Sequence, residues 1–145
     1  MATVNDIAIR VRRGIDDMQK VNYSDPEIIE MINDGINFLS TELIMTKEPE
    51  MISSLTIDGQ TSVARPERFV SFVGQYPIQY LTDNTGTVGL KHINPDFSGS
   101  MVVRYFSLKP VVSALTDTFP FSKLVHQTAL VENVIASILP KEVAK

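Results

Sequence analysis

One stretch, residues 24–43, limits the possible folds of this chain more than any other because it has every mark of an amphipathic helix. Ser24 and Glu27 stand at capping-box spacing, so each side chain is expected to accept a hydrogen bond from the other's backbone N–H. Pro26 lies in the first turn, where no intrahelical donor is lost. Apolar residues recur at three- and four-residue steps: Ile28 (or Ile29), Ile32, Ile36, Leu39 and Leu43. Such a stripe must be buried, so we predict that other helices pack on it.

Two more helices are predicted, over residues 3–19 and residues 122–139. The first has Thr3 and Asp6 as its cap, and its apolar face consists of Val4, Ile7, Ala8, Val11, Ile15 and Met18. The other opens at Ser122, is ended by Pro140 and is apolar nearly all round, so we expect a neighbouring subunit to cover what this chain does not. Gly35 within residues 24–45 predicts a close-crossing helix rather than chemistry.

The segment between the second and third helices, about residues 51–109, has the alternation and turn residues of short antiparallel strands. Asp58-Gly59 lies between two strand-like runs and predicts a two-residue hairpin. Pro77 marks its strand as an edge strand. The predicted strands are residues 54–57, 61–64, 69–73, 76–81, 87–93 and 100–108. An extended linker, residues 109–121, with a turn at Asp117, leads to the third helix.

These elements predict an α+β fold in a single domain, residues 1–145. The domain is a small bundle of three main helices with an antiparallel β unit inserted between the second and third.

Composition argues against several functional classes. The 145 residues include no cysteine, which excludes disulfides, thiolate catalysis and Cys-based zinc sites. The net charge of −4 includes no basic field, which disfavours nonspecific nucleic-acid binding. No signal peptide or membrane span is visible.

Candidate catalytic groups are equally sparse. His92 and His126, the only histidines, lack metal-ligand spacing, and no phosphate loop or nucleophile elbow occurs. Asp16 and Asp17 are the one candidate acid pair, but adjacent helical residues point about 100° apart. We predict no enzyme activity and no cofactor.

An interaction surface is the remaining kind of site. Arg10, Arg12 and Arg13 either form a solvated face paired with Asp16 and Asp17, or contact a subunit or partner through carboxylates. The predicted interface residues are Arg10, Arg12, Arg13, Leu124, Leu130, Val131, Ile135, Ile138 and Leu139.

Several short motifs occur in one order along nearly the whole chain. Residues 23–36 read Tyr-Ser-Asp-Pro-Glu-Ile-Ile-Glu-Met-Ile-Asn-Asp-Gly-Ile. They are followed by Pro66-Glu67-Arg68-Phe69, Val103-Arg104-Tyr105-Phe106, Lys109-Pro110 and Thr116-Asp117-Thr118-Phe119-Pro120. In motif and element order the chain resembles the head–tail connector (adaptor) proteins of tailed bacteriophages.

The resemblance implies a structural virion protein of the phage neck, assembled in the host cytoplasm. Its copies would form a homo-oligomeric ring, commonly dodecameric, between the portal protein and a downstream neck or tail protein. Packaged DNA would pass through the lumen without sequence-specific contact. Family members often dock into the portal with a C-terminal extension, whereas only residues 141–145 follow Pro140 here. Either this end or another surface would then make the contact. Two alternatives stay open: another neck or tail-completion (stopper) protein, and a small-ligand-binding α+β domain.

Overall fold

The computed structural model describes residues 2–143, with residues 140–143 described by their backbone alone. The fold is α+β, with the β strands between the second and third helices as predicted. The helices are α1 (Val4–Gly14), α2 (Asp25–Met45) and α3 (Leu124–Val143), and a 3-10 turn covers Pro49–Met51. The strands are β1 (Ile52–Asp58), β2 (Val63–Ala64), β3 (Phe69–Phe72), β4 (Ile78–Thr82), β5 (Val88–His92) and β6 (Ser100–Ser107). The chain divides into a helical unit, up to Glu42 and from Lys109 onward, and a β unit, Leu43–Leu108.

Helix α2 forms as the sequence predicts. The Ser24 amide donates to Glu27 Oε1 at 3.2 Å, and the Glu27 amide donates to Ser24 Oγ at 3.3 Å, which completes the capping box. The predicted apolar stripe is buried at its central members Ile28, Ile32, Ile36 and Leu39. The burial of this stripe makes α2 the centre of the helical unit.

Helix α1 begins as predicted and ends early. Thr3 caps it together with Asp6 in a second capping box. The helix stops at Gly14 rather than at residue 19, and Met18 is 45% exposed instead of buried. The physical reason is a competing turn: Asp17 accepts hydrogen bonds from the backbone of the following loop, which draws the chain back on itself.

Helix α3 differs from the prediction at both ends. It starts at Leu124 instead of Ser122 and continues through Pro140 to Val143. A proline removes one intrahelical hydrogen bond and strains the preceding turn, but the helical backbone continues here for a further few residues. The predicted stop at Pro140 is therefore wrong.

The close packing predicted for Gly35 is confirmed. A Cβ built on Gly35 would lie 3.1 Å from Val134 Cγ2 and 3.4 Å from Leu130 Cγ, so α3 crosses α2 at this glycine. Gly14 plays the same part in α1, where a Cβ would overlap the side chain of Ile135. Glycine at these two positions lets both helices approach α3 closely.

The linker over residues 109–121 is a packed part of the helical unit. The Asn33 side chain donates to the Val112 carbonyl and accepts from the Val112 amide, both at 2.8 Å. Val112, Phe119 and Phe121 are buried. The predicted turn at Asp117 is present, since its amide donates to the Ala114 carbonyl at 3.1 Å. The linker thus covers part of the core that α2 and α3 leave open.

The β unit contains two three-stranded antiparallel sheets, ordered β1-β6-β3 and β2-β5-β4. Ile57, Leu90 and Val103, one from each of β1, β5 and β6, form its buried core. The core draws on both sheets, so burial of these side chains holds the sheets together.

The predicted hairpin at Asp58-Gly59 is wrong, because β1 pairs with β6 and β2 pairs with β5. A turn is present, with the Thr61 amide donating to the Asp58 carbonyl at 2.9 Å and Gly59 at φ +48°. It carries the chain from one sheet to the other instead of back along β1. The edge position predicted from Pro77 is confirmed, since β4 is an outer strand.

Candidate functional site

Arg12, the middle member of the predicted arginine cluster, is buried, with 3% of its surface exposed. Its Nη1 lies 2.9 Å from Asp17 Oδ2 and its Nη2 lies 3.0 Å from Asp25 Oδ1. It also donates to the Tyr23 carbonyl at 2.9 Å. The predicted pairing of Arg12 with Asp17 is present, but the interpretation of Arg12 as a solvated or partner-binding residue is corrected: α1 directs it into the protein, where Asp17 and Asp25 compensate its charge.

Asp17 organises the loop between α1 and α2. Its carboxylate accepts backbone N–H bonds from Val21 and Asn22 at 3.0 Å and from Tyr23 at 3.1 Å. The hydrogen bond from Asn22 is the largest cause that lowers the pKa of Asp17, and Arg12 lowers it further against the opposing effect of burial. Asp16 is exposed beside it, so the two carboxylates do not form the acid pair considered from the sequence.

The other two arginines differ from each other. Arg10 is half-buried and donates from Nη2 to Thr128 Oγ1 at 3.0 Å, which joins α1 to α3. Arg13 is exposed. Of the three predicted interface arginines, Arg13 alone is a fully surface residue.

The six apolar residues predicted as interface also include both buried and exposed side chains. Leu130, Val131 and Ile138 are at most 5% exposed, so they belong to the core of the chain itself. Ile135 is half-buried and faces Gly14. Leu124 and Leu139 are 70% and 38% exposed, and their interface role stays a prediction.

Val125 is 67% exposed beside Leu124 and was not among the predicted interface residues. Its apolar character was visible, but α3 is apolar on nearly every side. The pattern therefore does not separate its exposed face from its buried face.

A shallow groove lies between α2 and α3 in the helical unit, with a volume of about 380 Å³. Its lining residues are Met31, Asp34, Gly35, Phe38, Asn133, Val134 and Ser137. Phe38 stands at its edge, 55% exposed.

Both histidines pack against aromatic side chains. His92 stacks on Phe97 with ring centroids 4.0 Å apart, and its Nδ1 accepts from the Asn94 amide at 2.9 Å. His126 is buried beside Phe121. Within residues 2–139, whose side chains the structure describes, no group of three or more potential metal-ligating side chains comes together. In the same part of the chain no helix has the length and apolar character needed to span a bilayer.

Three residues of the motif over residues 23–36 hold the helical unit together. Asp25 forms ion pairs with Arg12 and Lys20. Asn33 hydrogen-bonds the linker at Val112, and Gly35 lets α3 pack closely on α2. Each therefore has a structural partner within the chain. The last residues of the short C-terminal segment considered for portal docking, residues 144–145, lie outside the described residues.

No protein-family model matches the chain, and no curated protein matches its sequence.

Proposed function

We propose that this protein is a structural subunit of the neck of a tailed bacteriophage. Its copies assemble into a ring that joins the capsid portal to the tail and extends the channel through which DNA leaves. The protein contributes shape and contact surfaces, and it performs no chemistry. The proposal rests on the order of motifs and elements together with the surfaces described above.

The observation that carries the proposal is apolar exposure on both compact units. Leu124 and Val125 are 70% and 67% exposed on the helical unit. Tyr80 and Leu81 are 54% and 40% exposed on the β unit. Tyr80 and Leu81 are successive strand residues that point to opposite faces of β4, so they mark a strand edge rather than one apolar patch. A partner bound at that edge, or at Leu124 and Val125, would bury apolar surface. A ring subunit beneath a portal needs separate surfaces for its neighbours and for the portal.

The ion pairs at the α1–α2 loop also favour a structural role. Arg12 and Lys20 balance the charges of Asp17 and Asp25, and this cluster fixes the α1–α2 loop, so it is committed to folding. The net charge of −4 suits a channel that DNA slides through, because a strongly basic lumen would retain the polyanion.

Mass photometry of the purified protein, alone and with the portal protein of the same phage, tests the proposal. We expect a ring-sized species at least when portal is present. Replacing Leu124 and Val125 by Ser should reduce the assembled fraction, whereas the control Ala136→Ser, at another exposed position of α3, should not. A protein that stays monomeric and never binds portal would refute the proposed function.

A further inference from the structure

Two strand edges of the β unit are regular and lack the usual protection against pairing. β1 and β4 each lie at the outside of a three-stranded sheet. The other two outer strands are blunted, because β2 has only 2 residues and the register of β3 is irregular between Phe69 and Ser71. The only charged residue in β1 is Asp58, and β4 contains none.

The hydrogen bonds of β1 show which backbone groups point away from its partner β6. The Gly59 amide donates to the Gly99 carbonyl at 2.7 Å and continues the β1–β6 ladder. Because bonding directions alternate along a strand, Ser54 and Thr56 direct their N–H and C=O groups outward. Among the described residues, no hydrogen bond reaches these groups.

At each end of the β1 edge, one of the two outward backbone groups already has a hydrogen-bond partner within the chain. The Asp58 carbonyl points outward but already accepts from the Thr61 amide at 2.9 Å, which leaves the Asp58 N–H. At the other end, the Ile52 amide donates to the Pro49 carbonyl, which leaves the Ile52 C=O.

Strand β4 also directs unpaired backbone groups away from its partner β5. The Ile93 amide donates to the Pro77 carbonyl at 2.8 Å, so Pro77 faces β5 and its missing N–H does not protect the outer edge. Tyr80 and Thr82 therefore direct their N–H and C=O groups outward. The Ile78 amide donates to the Tyr76 carbonyl at 2.8 Å, which leaves only the Ile78 C=O at this end.

We infer that β1 of one copy pairs antiparallel with β4 of the next copy, with Thr56 opposite Tyr80 and Ser54 opposite Thr82. This inference rests on the proposed ring and identifies its subunit interface. In this register Asp58 lies opposite Ile78. The Asp58 N–H then meets the Ile78 C=O, and the other two groups of this pair, the Ile78 N–H and the Asp58 C=O, are already bonded within their own chains.

A shift of the register by two residues loses this match. With Thr56 opposite Ile78, the Thr56 C=O faces an amide already bonded to Tyr76. An acceptor without a donor in a buried strand pair costs about 1–3 kcal/mol. The match between donors and acceptors therefore selects one register.

The side chains agree with this register. It places Leu55 of β1 opposite Leu81 of β4 in a non-hydrogen-bonded pair, where side chains approach most closely. It also places Thr56 beside Tyr80, a favourable β-branched–aromatic pair. The pairing covers Tyr80 and Leu81, which are 54% and 40% exposed in the single chain.

The pairing uses a different edge on each side, which makes the interface heterologous, as ring closure requires. A two-fold pairing of β1 with β1 would also satisfy the backbone groups of β1. It would leave β4 with its exposed Tyr80 and Leu81 uncovered, and it would close at a dimer. The ring pairing covers both unprotected edges of every copy.

Disulfide trapping tests the inference cleanly because the chain has no cysteine of its own. Cα atoms of a non-hydrogen-bonded antiparallel pair lie about 4.5 Å apart, within the range that a disulfide spans. Leu55→Cys and Leu81→Cys variants, mixed under assembly conditions with portal and oxidised, should form a heterodimer on a non-reducing gel. The double variant should form a ladder of covalent multimers.

The matched control replaces Gln79, which lies on the same face of β4 as Leu81 but two residues out of register. A mixture of the Leu55→Cys and Gln79→Cys variants should cross-link at least about tenfold less, because diagonal neighbours lie about 7–8 Å apart. Circular dichroism of each variant confirms that it is folded before assembly.

The outcomes separate this inference from the proposed function. Rings that assemble on portal without a Leu55–Leu81 cross-link overturn the β1–β4 interface and leave the neck function standing. Dimerisation of Leu55→Cys by itself indicates the two-fold β1–β1 pairing and also overturns the inference. Wild-type protein that forms no ring with portal overturns the proposed function, and the interface inferred from it.

Discussion

Gly35 is the point where α2 and α3 cross, and replacing it by Ala tests how closely the helices pack. Alanine has the higher helix propensity, and in a helix interior this change by itself stabilises by about 1 kcal/mol. The new Cβ would lie 3.1 Å from Val134 Cγ2 and 3.4 Å from Leu130 Cγ. These two side chains are 2% and 0% exposed, so neither can turn into solvent to make room.

Adding a methyl group to a well-packed core costs about 1–3 kcal/mol. Because the expected cost meets or exceeds the gain in propensity, we expect Gly35→Ala to destabilise the protein by about 1 kcal/mol. The assay is urea denaturation followed by far-ultraviolet circular dichroism. The slope of the transition should stay unchanged, since the variant exposes no new surface on unfolding.

The double variant Gly35→Ala/Val134→Ala supplies the control. Removing Val134 Cγ2 removes the closest contact, so the added methyl group should be neutral or stabilising in that background. The double-mutant cycle should then show a coupling energy of about 1–2 kcal/mol. If Gly35→Ala stabilises the wild-type protein by the full propensity gain and the coupling is zero, the helices do not approach as the structure shows.

Three further predictions concern stability and assembly. The lowered pKa of Asp17 means that its contribution is present above its ordinary value of 3.8 and is lost as pH falls through the folded-state pKa. The difference in urea midpoint between wild type and Asp17→Asn should therefore shrink on acidification, and a difference that grows in acid would contradict this. Asn33→Ala removes both bonds to Val112 and should cost about 1–3 kcal/mol in urea denaturation, and a neutral result would contradict the packed linker. Leu124→Ser should change stability by less than about 0.5 kcal/mol and still reduce assembly with portal in mass photometry, and full assembly would contradict a contact role.

The parts of the fold that the sequence predicts correctly are those encoded within a few residues. The capping boxes at Thr3 and Ser24 and the stripe of α2 depend on spacing along a single helix, and all three are present. The glycine in α2 was correctly interpreted because a helix-interior glycine has a propensity cost that close packing offsets.

The parts that failed depend on groups distant in sequence. Asp58-Gly59 makes a turn, but burial of Ile57 with Leu90 and Val103 decides which strands pair, and a local turn motif does not contain that information. The end of α1 was missed because Asp17 bonds the backbone of the next loop. Apolar periodicity alone predicts that the helix continues past Asp17.

The candidate interface was predicted only in part for a related reason. An apolar helix has the same sequence pattern whether its own chain or a second copy covers it, so Leu130 and Leu124 looked alike and differ in the structure. An arginine is ordinarily a surface residue, and burial of Arg12 depends on Asp17 and Asp25 converging around it. Pro77 indicated that β4 is an edge strand, but that β1 is one follows only from the strand order.

Cryo-electron microscopy of the virion neck tests the central claim most directly, with the structure of this chain fitted into the density. We predict a ring of copies of this protein between the portal and the next tail component, surrounding the DNA channel. A neck reconstruction that accounts for every ring with other proteins, or that places this chain away from the portal–tail axis, would contradict the claim.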